Sequence, residues 1–369
     1  MTMNCNIKNA DFGTSACPKG RNGAIEWCRL IASVFVVFEH YGFPGELGEI
    51  VNCLARFAVP FFFMVSGYFV YHADESIIRK RTIGILKLNV YSTLLYLLWG
   101  AYHERYILGR SRMAWLKAVI STETISRWLI NGVNPLSGHL WYLSAVFVCY
   151  VTIYVYTRWN GKDCNYSAVY TAGILLYAVH LMADPMATAA GIDTPSQIFR
   201  NALFFGIPMF SLGIFIREYR DRILTTYRLT VKKLVLIIFA GAVIGVIQFL
   251  GTGKIELPLG TLFETVALVL LLVSIPPQTN SGKLHSVVIS KLGPLSTYVY
   301  VTHMIWAELF FIFLEEYSVS VLGVWIYSLA RPVLVVILSV STGIVWITIV
   351  ELGRNCIKSL SVFNKNAKE

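Results

Sequence analysis

Long apolar runs alternate with short polar breaks along the chain. Counting runs of ~18 or more predominantly apolar residues predicts ten membrane spans. They fall at about 24–43, 50–71, 84–101, 139–157, 167–183, 200–217, 233–251, 257–275, 294–316 and 325–350. The longest segments outside them are 102–138 and the two termini. Within 102–138, Trp115, Ala118, Val119, Ile125, Trp128 and Leu129 recur at near-helical spacing, with Lys117 and Arg127 between them. That pattern predicts a helix lying in the membrane interface, either as an anchor or as a cover over the outer mouth of a cavity. No stretch separates off a soluble domain. The expectation is an all-α integral membrane protein: a tail at 1–23, one polytopic helical domain at 24–350 and a second tail at 351–369.

Composition agrees. Apolar residues make up 56% of the 369 and charged residues only 14%, where a soluble domain carries about a quarter charged. The net charge of +10 follows topology and does not point to nucleic acid. Lys and Arg concentrate at the N-terminus, in the even-numbered loops and at the C-terminus. The densest group is Arg217 with Asp221 to Arg228, Lys232 and Lys233. The positive-inside rule then places both termini in the cytoplasm, and an even number of spans gives the same answer. The first 23 residues hold no apolar core of a signal peptide, so none is expected, and the location expected is the cell membrane. Seven cysteines occur without a CxxC pair or a Cys/His cluster at metal-ligand spacing, so neither a disulfide framework nor a metal site is expected.

Ionisable residues inside the spans change the picture from bundle to candidate site. In span 1, Arg29 and His40 are eleven residues apart. At roughly 100° per residue they share one helix face, separated by ~16 Å along the axis. Glu26 and Ser33 fall near the same stripe. With the N-terminus inside, Arg29 lies in the cytoplasmic leaflet and His40 near the outer end. The bland reading is a snorkelling arginine and a core histidine. Glu39 points about 100° away from His40 and is not taken as its orienting carboxylate. Span 2 carries Arg56 and Pro60, and the proline should bend it. Span 4 opens on His139, Trp141 and Tyr142, with His139 at the expected depth of His40. Span 6 carries Arg200, span 8 carries Glu264, span 9 carries His303 and Glu308, and span 10 carries Arg331. Glu264 is expected as the counter-charge of Arg56 or Arg200. So many buried ionisable groups point to a polar cavity through the bundle.

The stripe on span 1 suits a long donor with phosphates at one end and an acyl group at the other. Arg29, with Ser33 beside it, would hold a phosphate by charge-assisted hydrogen bonds. His40 would act as general base on an acceptor hydroxyl or carry the acyl group itself, with Glu26 counted beside it in the catalytic set. Acyl-coenzyme A has this form, as co-substrate and not as a tightly bound cofactor. No GxSxG elbow or phosphate-binding loop is present.

The stretches that carry this reading also carry a resemblance. Arg29 and His40, Arg56 with Phe61-Phe-Phe-Met-Val-Ser-Gly-Tyr68, His139-Leu-Trp-Tyr-Leu143, Gly206-Ile-Pro-Met-Phe-Ser-Leu-Gly213 and Tyr300-Val-Thr-His303 resemble the acyltransferase-3 family of membrane acyltransferases over about residues 21–350. The resemblance implies a ten-helix bundle that takes acyl groups, usually acetyl, from cytoplasmic acyl-CoA. It passes them to an envelope glycan or lipid-linked acceptor outside. It implies a catalytic role for His40, a donor role for Arg29, and positions near the site for Arg56, His139 and Trp141. Tyr142, His303 and Glu264 complete the acceptor-side set. Glu26 stands where the family usually has Asp, which keeps a carboxylate three residues from Arg29. Spans 1 and 2 also resemble the membrane part of vancomycin-resistance serine racemases. Those proteins carry a pyridoxal-phosphate domain after the helices, and racemisation is not expected of a chain ending at Glu369. The rival expectation is a membrane carrier for a small polar solute such as serine, with Arg56, Arg200 and Glu264 as its site.

Overall fold

The computed structural model describes residues 22–161, 163–189, 200–252, 257–276, 283–316 and 321–366. Most of the tail expected at 1–23, with Cys5 and Cys17, lies outside them. Every element is helical: α1 (Gly23–His40), α2 (Gly45–Ala55), α3 (Ala58–Tyr68), α4 (Glu75–Tyr102), α5 (Arg112–Val119), α6 (Thr122–Asn131), α7 (Trp141–Asn160), α8 (Ser167–Ala189), α9 (Ile207–Thr226), α10 (Val231–Thr252), α11 (Leu259–Ser274), α12 (Lys283–Glu316) and α13 (Val321–Asn366). Each of the ten expected spans falls on a helix or a helix pair. Seven segments among the described residues are long and apolar enough to cross a membrane: 45–68, 75–107, 138–160, 202–226, 231–251, 286–312 and 326–356. Two further apolar stretches, Ser167–Met182 and Leu259–Ser274, are shorter. α1 has 18 residues but carries Glu26, Arg29 and Glu39 within them. The protein is an all-α, multi-pass membrane protein.

Local chemistry explains where the helices start and break. Asn22 caps α1, its side-chain oxygen accepting from Ala24 N at 3.0 Å and Ile25 N at 3.3 Å. Its amide donates to the carbonyls of Leu272 and Ile275 at 3.0 and 3.1 Å, so one side chain satisfies orphan groups at the start of α1 and the end of α11. Pro60 bends span 2 as its sequence demands. The visible break comes at Arg56–Phe57, between α2 and α3. Proline has no N–H to give to the carbonyl four residues earlier and its ring crowds that carbonyl. The residue four before Pro60 is Arg56. α9 starts in a comparable way. Asn201 accepts from Leu203 N at 2.8 Å and Phe204 N at 2.9 Å, and a wide π-helical turn over Ala202–Gly206 leads into Pro208.

Packing rests on small residues that let backbones meet, as lipid-embedded bundles require. A Cβ on Gly67 of α3 would lie 1.9 Å from the Phe210 carbonyl oxygen of α9, and one on Gly213 of α9 would lie 2.0 Å from the Met64 carbonyl oxygen of α3. α10 and α11 meet through Gly241, Gly245 and Gly260 in the same manner. α1 lies along α12, where Gly293 makes room for the Glu26 carboxylate.

Two features differ in detail from the pattern read above. The interface segment is two helices. α5 docks on α4 through Trp115 against Gly100. Ser121 caps α6 by accepting from Thr124 N at 3.3 Å, and Gly132 closes α6 with φ of 71°, a left-handed conformation that glycine adopts without strain. At the other end of the chain, α13 runs past residue 350 to Asn366.

Candidate active site

Antiparallel alternation brings one end of several helices together. The end of α1 supplies Glu39 and His40. The α2–α3 break supplies Arg56, and the 3-10 turn Gly138–Leu140 with the first turn of α7 supplies His139, Trp141 and Tyr142. The approach to α9 supplies Arg200 and Phe205, and α12 supplies Tyr300 and His303. A cavity of about 20 Å³ sits among them, lined by Val36, Glu39, His40, Arg56, Val59, His139, Trp141, Tyr142, Arg200, Phe205 and Tyr300. That is room for one water-sized group.

Three histidines, separated by more than 260 positions in sequence at the extremes, form one cluster. The His40 ring stacks on His303 at 5.4 Å between centroids and meets His139 edge-on at 6.2 Å. His139 and His303 are 4.9 Å apart. His303 is fully buried. Its Nδ1 faces the carbonyl oxygens of Tyr300 at 2.8 Å and Val299 at 3.2 Å. Carbonyls only accept, so Nδ1 carries a proton and donates, and in the neutral ring Nε2 keeps its lone pair. His139 holds Ser137 Oγ at 2.8 Å through Nδ1, while the Tyr300 hydroxyl donates to the His139 carbonyl. The Nε2 atoms of His139 and His303 are both buried without a hydrogen-bond partner in the protein. Tyr96 closes the cluster, its ring 5.2 Å from that of His139 and its hydroxyl donating to the Val301 carbonyl at 2.7 Å.

The other end of the α1 stripe is intact. α1 is one unbroken helix, which keeps Arg29 ~16 Å from His40 on the same face. Arg29 pairs with Glu26 at 3.8 Å, and the buried Ser33 hydroxyl donates to the Leu30 carbonyl at 2.7 Å. Tyr142 packs against Phe63 and Tyr300. It lines the cavity.

Of the residues singled out in the sequence, His40, Arg56, His139, Trp141 and Tyr142 share the cavity wall, and His303 stacks directly behind His40. Arg29, Glu26 and Ser33 lie further along α1, toward its N-terminal end. Glu264 does not line the cavity. It is buried on α11, where α10 packs closely against it at Gly241. Among the described residues, Glu39 is the carboxylate that lines the cavity with Arg56 and Arg200. Glu39, about 100° round the helix from His40, nonetheless reaches the same cavity. The lining residues of α1 are Val36, Glu39 and His40, which are i, i+3 and i+4 on one face. A helix face spans about 100° or more, so a residue adjacent to His40 still reaches the same space. Arg200 was visible as a charge but was placed outside the acyl-transfer set, and Tyr300 was visible only within a motif. No lining residue comes from α5 or α6, so the interface helices do not wall the cavity. Among the described residues no group of three or more His, Cys, Asp or Glu side chains is arranged to hold a metal ion.

Fold and site together define a multi-pass membrane protein with a histidine-lined polar cavity inside its helical bundle. A family model described as an acyltransferase domain, Acyl_transf_3, matches residues 22–351. The chain belongs to the acyltransferase-3 family. It is also 26% identical over 226 residues to a serine/alanine racemase of Enterococcus gallinarum, a match covering 55% of this chain and 30% of that protein. The chain thus spans less than a third of that relative's length. No solved structure matches.

Proposed function

We propose that the protein moves an acyl group, acetyl in the first instance, from cytoplasmic acyl-CoA to a hydroxyl of an envelope glycan or lipid-linked sugar on the outer face of the cell membrane, with both chain termini inside. The observation that carries this reading is the α1 stripe. One helix face presents Arg29 at one depth and His40 at another, and the second end opens into a polar cavity. Arg29 binds a donor phosphate through its forked guanidinium. The acceptor enters beside His40, where Trp141 and Tyr142 flank it. His40 takes the hydroxyl proton as the oxygen attacks the thioester carbonyl. The carbon–sulfur bond breaks, and the thiolate leaves and receives that proton. In the two-step variant His40 first forms an acyl-imidazole and then passes the acyl group on.

Binding of acetyl-CoA to the purified protein tests the donor end. Wild type should bind saturably, and Arg29→Ala should weaken binding by about tenfold or more, as loss of a charge-assisted phosphate contact does. Calorimetry or thermal shift reads this out. Equal binding by wild type and Arg29→Ala would remove Arg29 from the donor site.

A second reading has one specific observation in its favour. Glu39 beside Arg56 and Arg200 gives the cavity both signs of charge, which suits a zwitterion, and the Enterococcus relative is named for serine and alanine. On this reading the bundle carries a small amino acid. Uptake of labelled serine by vesicles holding the purified protein, absent from empty vesicles, would establish it.

A further inference from the structure

Acylation changes what His40 can do. Once its attacking nitrogen holds an acyl group, that lone pair is spent and the ring is no longer the base beside the acceptor. A two-step transfer therefore needs a second proton acceptor in the cavity wall, and a one-step transfer does not. The size of the cavity bears on which route is followed. At about 20 Å³ it admits one water-sized group. A thioester and a hydroxyl do not fit beside His40 together in this arrangement, whereas two steps bring them there in turn.

His139 stands where the second base is needed. It comes from a different element, the 3-10 turn that leads into α7, and lines the cavity with Trp141 and Tyr142. His40 arrives instead on the α1 stripe that carries Arg29. The two rings meet edge-on with centroids 6.2 Å apart. A hydroxyl oxygen attacking an acyl group on His40 can then lie at hydrogen-bond distance, ~2.8 Å, from a nitrogen of His139. Ser137 Oγ lies 2.8 Å from His139 Nδ1, and the Tyr300 hydroxyl donates to the His139 carbonyl, so ring and backbone are both held. Ser137 Oγ can accept the Nδ1 proton, which leaves Nε2 its lone pair. That Nε2 is buried and has no hydrogen-bond partner among the described residues. Buried polar atoms are ordinarily satisfied, so this one calls for a ligand. His303 has a similar atom, but its ring is fully buried and packs behind the other two, outside the cavity wall.

We infer that transfer proceeds in two steps, with His40 as acyl carrier and His139 as the catalytic base of the second. This rests on the acyl-transfer reading. In the first step a His40 nitrogen attacks the thioester carbonyl and the carbon–sulfur bond breaks. The thiolate leaves as the thiol, with the proton that the acylated ring gives up. In the second step the acceptor oxygen attacks the acyl carbon and its proton passes to His139 Nε2. The carbon–nitrogen bond breaks, and His139 returns that proton to the departing His40 nitrogen. Both rings end neutral.

The two half-reactions can be read separately on the full chain in lipid nanodiscs. Exchange of isotope between labelled CoA and acetyl-CoA, with no acceptor added, reports the first. Hydrolysis of acetyl-CoA, with water as the acceptor, reports the second. His139→Asn is the variant, because its amide can keep the hydrogen bond to Ser137 while the base is gone. His139→Gln replaces it if the asparagine variant is not recovered monodisperse. Wild type should both exchange and hydrolyse. The variant should keep exchange and lose hydrolysis by about 10²–10⁴-fold. A wild type that hydrolyses without exchanging works in one step and overturns the inference. One that exchanges without hydrolysing also overturns it, since a base against a water-sized cavity should deliver water. In a variant that still binds acetyl-CoA, unchanged hydrolysis or an equal loss of both reactions does the same. Acetyl-CoA binding by wild type separates this from the wider reading. Binding with neither reaction removes the two-step inference alone, and a folded protein that does not bind removes acyl transfer as well.

Discussion

His40→Ala should abolish acyl transfer while leaving a folded protein that still binds acyl-CoA. The expected loss is about 10²–10⁴-fold, the usual contribution of a positioned acid–base group. The neighbouring histidines are not substitutes. His303 has its Nδ1 committed to two backbone carbonyls, and His139 has its Nδ1 on Ser137. Each keeps only Nε2, at a position fixed by its own helix. His40 occupies the last turn of α1, lines the cavity, and stands on the stripe that leads back to Arg29. Donor binding should persist because the phosphate contact is assigned to the far end of that stripe. Rates of acetyl transfer and of CoA release, measured with equal amounts of monodisperse wild-type and variant protein, check this. Full activity in His40→Ala would end the proposed role. Rapid acid quench followed by peptide mass analysis separates the two chemistries. An acetyl group recovered on His40 marks it as carrier, and its absence during turnover marks it as base.

How far the site could be read from sequence depends on what a helix reveals by itself. Spacing along one helix gives face and depth, so Arg29 and His40 could be placed on one stripe without a partner in view. Depth also carried across helices. His139 opens an apolar run at the end opposite to where His40 closes one, and the two rings do meet. Proline chemistry foretold the bend in span 2. The rotation of each helix against its neighbours was not legible, because periodicity fixes a face only relative to the helix's own axis. Glu264 and Glu39 show the consequence. Both are carboxylates in apolar runs, and only packing decides that Glu39 shares the cavity with Arg56 and Arg200. Arg200 lies outside any regular helix, just before the turn capped by Asn201, so no periodic argument could aim it.

The crossing of α3 and α9 gives the sharpest test of the fold that builds this site. Gly213→Ala is expected to prevent recovery of a stable, monodisperse protein, and Gly67→Ala to do the same. The contact is reciprocal. Gly67 approaches the Phe210 backbone and Gly213 approaches the Met64 backbone, each glycine three residues from the partner of the other. A methyl group at Gly213 would come within 2.0 Å of a carbonyl oxygen and 2.8 Å of a Cα. Backbone cannot move aside as a side-chain tip can, so the helices must part. Overpacking costs about 1–3 kcal/mol where side chains can adjust, and a backbone clash should lie at or above the top of that range. Helix propensity acts in the opposite direction, since alanine is better than glycine in a helix interior by about 1 kcal/mol. Gly84 supplies the control. It lies in α4 with nothing within 4 Å of its would-be Cβ, so Gly84→Ala should leave the thermal midpoint unchanged or raised. Size-exclusion profiles and thermal midpoints of the three variants read the difference in sign. The site depends on this crossing, because Arg56 precedes α3 and Arg200 with Phe205 precedes α9, and parting those helices opens the wall that faces His40. A Gly213→Ala protein with an unshifted midpoint would show that α3 and α9 do not meet backbone to backbone.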